Sequence, residues 1–258
     1  MFPLYDNIPT RRTPLVVYTL VAINVLAFLW VGRLPDWEQQ KLAYQYGFVP
    51  ARIQQLREPY PLVVPMNVVV HIPFWGNQVV QQPIELPPAP RQIVLSLLTC
   101  MFLHGGWAHL LGNMWFLLLF GNNVEDRLGP VRFLILYLVG GLIASAVHWR
   151  ASPSSVVPVI GASGAIAAVL GAYAVTWPWA RVSTLVFLVF FVTIIDIPAL
   201  VVLGAWFLVQ VLESTRGEAS AGVAWWAHVG GFVAGVALMP LLSWTIFSFP
   251  PEEESAVE

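Results

Sequence analysis

Six uncharged, apolar runs dominate the sequence, and each has about the length that crosses a lipid bilayer. They are residues 14–31, 107–124, 133–149, 161–180, 197–212 and 223–249. A helix needs about 20 mostly apolar residues to cross a hydrocarbon core about 30 Å thick. Because hydrophobic residues make up 58% of the chain and charged residues only 10%, a water-soluble domain is excluded. The sequence predicts an all-α polytopic membrane protein with six transmembrane helices.

Charge and cysteine content exclude several classes of partner and site. The formal net charge is -2 and the only lysine is Lys41, so the chain has no basic patch for a nucleic acid. The single cysteine, Cys100, excludes an intrachain disulfide, and no motif around it supports a role as a nucleophile. The chain lacks the HExxH motif of metalloproteases. We therefore predict neither a metal nor another cofactor.

The arginines predict the orientation in the membrane. Short segments beside the apolar runs contain Arg11, Arg12, Arg127, Arg132 and Arg181. Since such residues concentrate on the cytoplasmic side, we expect a cytoplasmic N-terminus at residues 1–13 and an external first loop at residues 32–91. The membrane domain spans residues 14–249, and the acidic residues 250–258 are expected to be disordered. A bacterial cytoplasmic membrane fits this minimal chain best.

Two segments outside the six runs have an extended character. In the first loop, residues 36–56 have some helical character, whereas residues 59–84 are free of charge, proline-punctuated and rich in β-branched residues. We expect the latter to lie extended on the outer membrane surface. Residues 182–195 are apolar but short for a span, and Asp196–Pro198 end them. We favour a shallow or re-entrant segment, while a seventh span that reverses the last helix is the alternative.

Polar side chains lie near the starts of the second, fourth and sixth runs, which all run in the same direction. The second opens with HGGWAHLLGN, the fourth with GASGA and the sixth with AWWAHVGG, which together give His104, His109, Asn113, Ser163 and His228. Each lies within about two helical turns of its helix start, so their depths are compatible with contact. Polar residues inside a membrane are costly and indicate function.

The spacing of these residues suits a shared site. His109 and Asn113 are four residues apart and hence lie on one helix face. The glycines Gly164, Gly231 and Gly235 allow helices to approach closely, so that the short Ser163 side chain can reach an imidazole. Packing alone remains an alternative explanation for each motif, since serine and GxxxG commonly serve close helix contacts in membranes.

In combination these motifs resemble those of the rhomboid intramembrane serine proteases, over residues 14–242. The resemblance implies that Ser163, in the GxSG motif that begins at Gly161, is the nucleophile and His228 the general base. It further implies that His109 and Asn113 form the oxyanion hole with the backbone N–H of Ser163, and that His104 supports the site. Glu125 and Arg127 match an ExR motif of the family, for which we expect a structural role.

The resemblance also implies a substrate and a path to the site. The expected substrate is a transmembrane segment of another protein, cut near the external face where its helix unwinds. The fifth span would act as a lateral gate and residues 215–223 as a cap. Two features depart from the family: Ala167 replaces a frequent aromatic residue that stacks on the histidine, and Leu95 and Ser96 replace a Trp-Arg pair that anchors the first loop. Trp225 and Trp226 are candidates to replace that stacking.

Two other functions remain open at this stage. An inactive relative that acts as a membrane chaperone or scaffold would have the same fold, but such relatives typically lack the serine or the histidine. A small transporter would also place polar residues at one depth, yet it would need carboxylates or carbonyl ligands near the midplane. Asp196 is the only acid near the apolar segments, and it is expected at their edge.

Overall fold

The computed structural model describes residues 2–74, 76–188, 191–216 and 223–244 and is mostly helical. Its helices are α1 Leu15–Val31, α2 Asp36–Tyr46, α3 Pro90–Thr99, α4 Trp107–Leu128, α5 Pro130–Ala151, α6 Ser163–Thr176, α7 Ala199–Ser214 and α8 Trp225–Ser243. Short 3-10 helices cover Pro50–Leu56 and Cys100–Phe102. The strands are β1 Phe2–Asp6, β2 Leu62–Ile72, β3 Gly76–Leu86, β4 Arg181–Leu188 and β5 Phe191–Pro198.

Each of the six predicted runs overlaps one helix, namely α1 and α4 to α8, which confirms a helical multi-pass membrane protein. Within the described residues, α5 and α8 are each long and apolar enough to span a bilayer. The segment Pro90–Phe102 bends by 78° from α4, and the two pass the same test together. The helices α1, α6 and α7 are apolar but shorter, so the count of six spans stays a prediction.

Helix α6 lies at the centre of the bundle and packs against α4, α5, α7 and α8. All of its residues from 165 to 174 are buried, and most of them have small side chains. The helix is shorter than the predicted run 161–180. Gly161 has φ +124°, outside the helical region, and Trp177 precedes Pro178, which disfavours a helical conformation at Trp177.

Residues 182–195 form most of an antiparallel hairpin. The pairing of β4 with β5 runs from Arg181 opposite Pro198 to Leu188 opposite Phe191. The two strands run in opposite directions, so the described part of this segment does not form a single continuous span, and its position relative to the membrane stays a prediction.

The N-terminal strand β1 completes a three-stranded sheet with this hairpin, in the order β1-β4-β5. The sheet is attached to the bundle through β1, because the indole of Trp115 donates a hydrogen bond of 2.8 Å to the carbonyl of Pro3. The carboxylate of Asp6 accepts hydrogen bonds from Tyr173 and Asn123, and burial raises the pKa of Asp6. The sequence did not predict this strand.

The first loop is a second ordered region. Helix α2 lies within the stretch predicted to be helical, and the charge-free stretch is extended, as predicted. Its strands β2 and β3 pair from Leu62 opposite Leu86 to Ile72 opposite Gly76, a hairpin that the prolines at 65 and 83 obscured.

A buried arginine holds the first loop together. Arg52 is 3% exposed, and its guanidinium donates hydrogen bonds of 3.2 Å to the carbonyls of Tyr44 and Pro87. It also bonds to the side-chain oxygens of Gln55 and Gln92. Arg52 therefore joins α2, the end of the β2–β3 hairpin and α3.

Candidate active site

The side chains of Ser163 and His228 are hydrogen-bonded across the α6–α8 contact. The distance from Ser163 Oγ to His228 Nε2 is 2.7 Å. Ser163 is the first residue of α6, where backbone N–H groups have no acceptor within the helix and the helix dipole is positive. A serine paired with an imidazole at such a position is arranged for nucleophilic attack and for stabilisation of an oxyanion.

Glycines bring the two helix backbones close enough for this contact. A Cβ added to Gly231 would lie 2.1 Å from the carbonyl oxygen of Gly164, and one added to Gly235 would lie 1.8 Å from that of Ala168. Gly164 itself faces Ala144 of α5, where an added Cβ would come within 2.9 Å. The small residues predicted to allow close packing therefore lie at these contacts.

The other nitrogen of His228 contacts α7. His228 Nδ1 lies 2.8 Å from Oε1 of Gln210, and both side chains are buried, at 9% and 4% exposed. Gln210 is not among the site residues predicted from the sequence. The available signal was an amide in an otherwise apolar run, since a polar side chain in a membrane helix calls for a partner.

Two tryptophans flank the imidazole of His228. The ring centroid of Trp206 on α7 lies 5.9 Å away at an interplanar angle of 37°, and that of Trp225 lies 5.9 Å away with its ring edge-on. Trp225 was one of the candidates for this role, whereas Trp206 was not recognised. Ala167 is fully buried, and its Cβ would lie 3.1 Å from a Cβ placed on Gly231, so Ala167 packs directly against α8.

His109 and Asn113 on α4 face the turn that precedes Ser163. A Cβ added to Gly161 would meet Nε2 of His109 at 2.6 Å and Nδ2 of Asn113 at 3.7 Å, so only glycine fits beside them. Asn113 is 7% exposed, and its Nδ2 has no hydrogen-bond partner among the described residues. An unpaired buried donor is costly, and an oxyanion formed at this point would supply its acceptor.

His104 lies behind His109 and completes the polar cluster. The two rings meet edge-on, with centroids 5.1 Å apart. Neither nitrogen of His104 has a partner in the part of the chain that the structure describes. The site opens into a cavity of about 890 Å³, which is lined among others by His109, Asn113, Ser163, Gln210 and His228.

Comparison with known proteins identifies the family. A family model described as a rhomboid domain matches residues 91–245, more than half of the chain and all of the residues just described. The chain belongs to the rhomboid family. The match covers α3, from its second residue, to α8, whereas β1, α1, α2, β2 and β3 lie outside it.

Curated relatives of this rhomboid include proteins of a plant and of a bacterium. Rhomboid-like protein 11, chloroplastic, of Arabidopsis thaliana is 30% identical over 57% of this chain and 52% of its own length. RHOMBOID-like protein 4 of the same plant is 38% identical over 55% of this chain and 32% of its own. The Bacillus subtilis protein named "Putative rhomboid protease YdcA" is 40% identical over 30% of this chain and 38% of its own length. The chain matches about half of the first relative and less of the others.

The ExR residues of this rhomboid lie at the opposite end of α4 from Ser163. The buried carboxylate of Glu125 accepts hydrogen bonds from the backbone N–H groups of Val16 and Val17, at 2.9 and 2.8 Å. It therefore caps the N-terminus of α1, while Arg127 is exposed. Of the predicted cap, residues 217–222 lie outside the described residues, as does the tail 250–258 in full.

Proposed function

We propose that this rhomboid is a serine endopeptidase that hydrolyses peptide bonds in or near transmembrane segments of other proteins. The observation that carries the proposal is the 2.7 Å contact between Ser163 Oγ and His228 Nε2 at the start of α6. The name of the Bacillus subtilis relative, which describes a rhomboid protease, supports the same reaction.

The first step of the reaction is attack by Ser163. His228 Nε2 takes the hydroxyl proton while Oγ bonds to the carbonyl carbon of the substrate, whose oxygen becomes an oxyanion. The backbone N–H of Ser163, Nδ2 of Asn113 and the ring of His109 are the donors available for that oxyanion. His228 then gives its proton to the leaving amine, and the acyl-enzyme remains on Ser163.

Water completes the reaction. The cavity beside Ser163 has room for a water molecule, which His228 deprotonates for attack on the ester. The resulting carboxylic acid leaves and Ser163 regains its proton. The substrate helix must unwind locally, because a peptide bond within a helix is shielded by its hydrogen bonds.

The proposal includes an orientation. The arginines near the end of α4 and before α1 place that end of the bundle in the cytoplasm, so the Ser163 end faces the outside of a bacterial cytoplasmic membrane. The lipid bilayer is the second partner, and substrates enter laterally past α7.

Covalent labelling of the detergent-purified protein with a fluorophosphonate probe tests the proposal. We expect the wild type to be labelled on Ser163, as located by mass spectrometry, and Ser163→Ala and His228→Ala to remain unlabelled. Ser145→Ala, which removes another buried hydroxyl beside the cavity, is the matched control and should be labelled normally. Asn113→Ala should slow cleavage of a transmembrane substrate by about 10²- to 10³-fold.

The outcomes separate a protease from an inactive scaffold. A folded wild type that neither reacts with the probe nor cleaves any single-span substrate of a panel would refute the proposal and favour a scaffold of the same fold. Labelling that persists in Ser163→Ala would refute the assignment of the nucleophile.

A further inference from the structure

Gln210 is the only side chain with an amide, hydroxyl or charge in the apolar run 197–212. It lies on α7, four residues before the end of that helix, and it is almost fully buried. An unsatisfied amide in this position would be costly, so both of its ends require partners. The described structure provides one partner for each end.

The two partners fix the direction of the amide. Gln210 Nε2 donates a hydrogen bond of 3.0 Å to the carbonyl oxygen of Trp206, one turn earlier in α7. That carbonyl can only accept, so the nitrogen must face it and Oε1 must face His228. Oε1 can only accept as well, and it lies 2.8 Å from His228 Nδ1, so the proton of the neutral imidazole lies on Nδ1.

We propose that Gln210 is a positioning residue that holds His228 in the tautomer with its proton on Nδ1. In this tautomer Nε2 has a free lone pair, which is what the hydroxyl of Ser163 requires of a general base. The opposite tautomer would direct an N–H at Ser163 Oγ and could not accept its proton. The proposal rests on the function proposed above and adds a third member to the Ser163–His228 pair.

A neutral amide acts here without a carboxylate. In the described residues the hydrogen-bond partners of the His228 ring are Ser163 and Gln210. The amide oxygen presents a dipole to the imidazolium that forms during attack, so it stabilises that charge as well as the tautomer. Since Gln210 and Trp206 both belong to α7, a displacement of α7 away from α8 would remove the bond and the ring contact together.

Two substitutions at Gln210 separate hydrogen bonding from packing. Gln210→Met keeps the length of the side chain but loses the acceptor, whereas Gln210→Glu keeps an acceptor facing Nδ1. Ser214→Ala, which removes another buried polar group of α7 whose hydroxyl donates a hydrogen bond to the carbonyl of Val211, is the matched control. Each variant is compared with the wild type in kcat, KM and thermal unfolding midpoint, with a transmembrane substrate in detergent.

We expect Gln210→Met to lower kcat by about 10- to 100-fold with little change in KM, the effect of losing one hydrogen bond to a group that becomes charged. Gln210→Glu should retain kcat to within about tenfold of the wild type, because its acceptor selects the same tautomer. Ser214→Ala should match the wild type. An unchanged kcat in Gln210→Met would overturn the proposal. Equal losses of kcat in Gln210→Met and Gln210→Glu would overturn it as well.

Nitrogen-15 NMR of histidine-labelled protein tests the tautomer without any need for activity. The signals of His228 are assigned by their loss in His228→Gln, and we expect them to report protonated Nδ1 in the wild type and a mixture in Gln210→Met. Protonated Nε2 in the wild type would overturn the proposal. If Nδ1 is protonated but the protein neither reacts with the probe nor cleaves, the proposed function fails while the role of Gln210 in orienting His228 stands.

Discussion

Gly231→Ala should separate the two residues of the candidate dyad. An added Cβ would lie 2.1 Å from the carbonyl oxygen of Gly164, whereas a carbon and an oxygen pack at about 3.3 Å. The α8 backbone must therefore move by about 1.2 Å at this point, one turn from His228. Applied along the line that joins Ser163 Oγ to His228 Nε2, such a shift lengthens the 2.7 Å contact to about 3.9 Å, beyond hydrogen-bonding distance.

The expected loss is large in rate and moderate in stability. A misplacement of about 1 Å costs about 10²-fold in rate, and overpacking costs about 1 to 3 kcal/mol. The assay is the rate constant of fluorophosphonate labelling, measured beside the thermal unfolding midpoint. Gly204→Ala is the control, since a Cβ there meets nothing within 4 Å. Labelling of Gly231→Ala at the wild-type rate would refute the idea that this contact sets the geometry of the dyad.

Three further perturbations test the supporting structure. Arg52→Met should lower the free energy of unfolding by about 2 to 4 kcal/mol and expose the first loop to proteolysis, because several carbonyl oxygens lose their hydrogen-bond donor. Arg52→Lys should not restore the stability, since an ammonium group cannot replace the planar guanidinium. Glu125→Gln should cost about 1 kcal/mol in thermal unfolding experiments, since it weakens the cap of α1. Burial raises the pKa of Asp6, so the stability it contributes is present at low pH and is lost as the pH rises through that raised pKa. Asp6→Asn should flatten the decline in thermal midpoint that sets in as the pH rises above the ordinary aspartate pKa of about 4.

The helices and the cluster of polar residues were accessible from the sequence because both follow from the cost of polar groups in lipid. Because of that cost, the helices α1 and α4 to α8 appear in the sequence as long apolar runs, in which polar residues such as Ser163 and His228 are conspicuous. Both residues lie near the starts of helices that run in the same direction, which predicted that they are close, and in the structure they are in contact. His109 and Asn113 lie on one face of α4, as their spacing predicts, and that face meets Gly161.

The strands were harder to predict, because their pairing joins residues that are distant in the sequence. Nothing in Phe2–Asp6 indicates that it pairs with β4, almost 180 residues later, and the prolines at 65 and 83 argue against a ladder that nevertheless forms. A β-branched apolar segment such as 182–195 also satisfies the composition of a span. Strands β4 and β5 bring the two ends of this segment back together, with Arg181 opposite Pro198, and composition alone does not reveal that pairing.

The contact between α6 and α8 explains why support for His228 comes from α7. Gly231 and Gly235 bring the backbones close together, and Ala167, which is fully buried beside Gly231, offers His228 no aromatic ring from α6. The side of His228 that faces away from Ser163 is covered by a different helix. Trp206 and Gln210 are one turn apart on α7 and meet the ring and its Nδ1 together. The alanine in α6 and the amide in α7 are thus two parts of one packing arrangement.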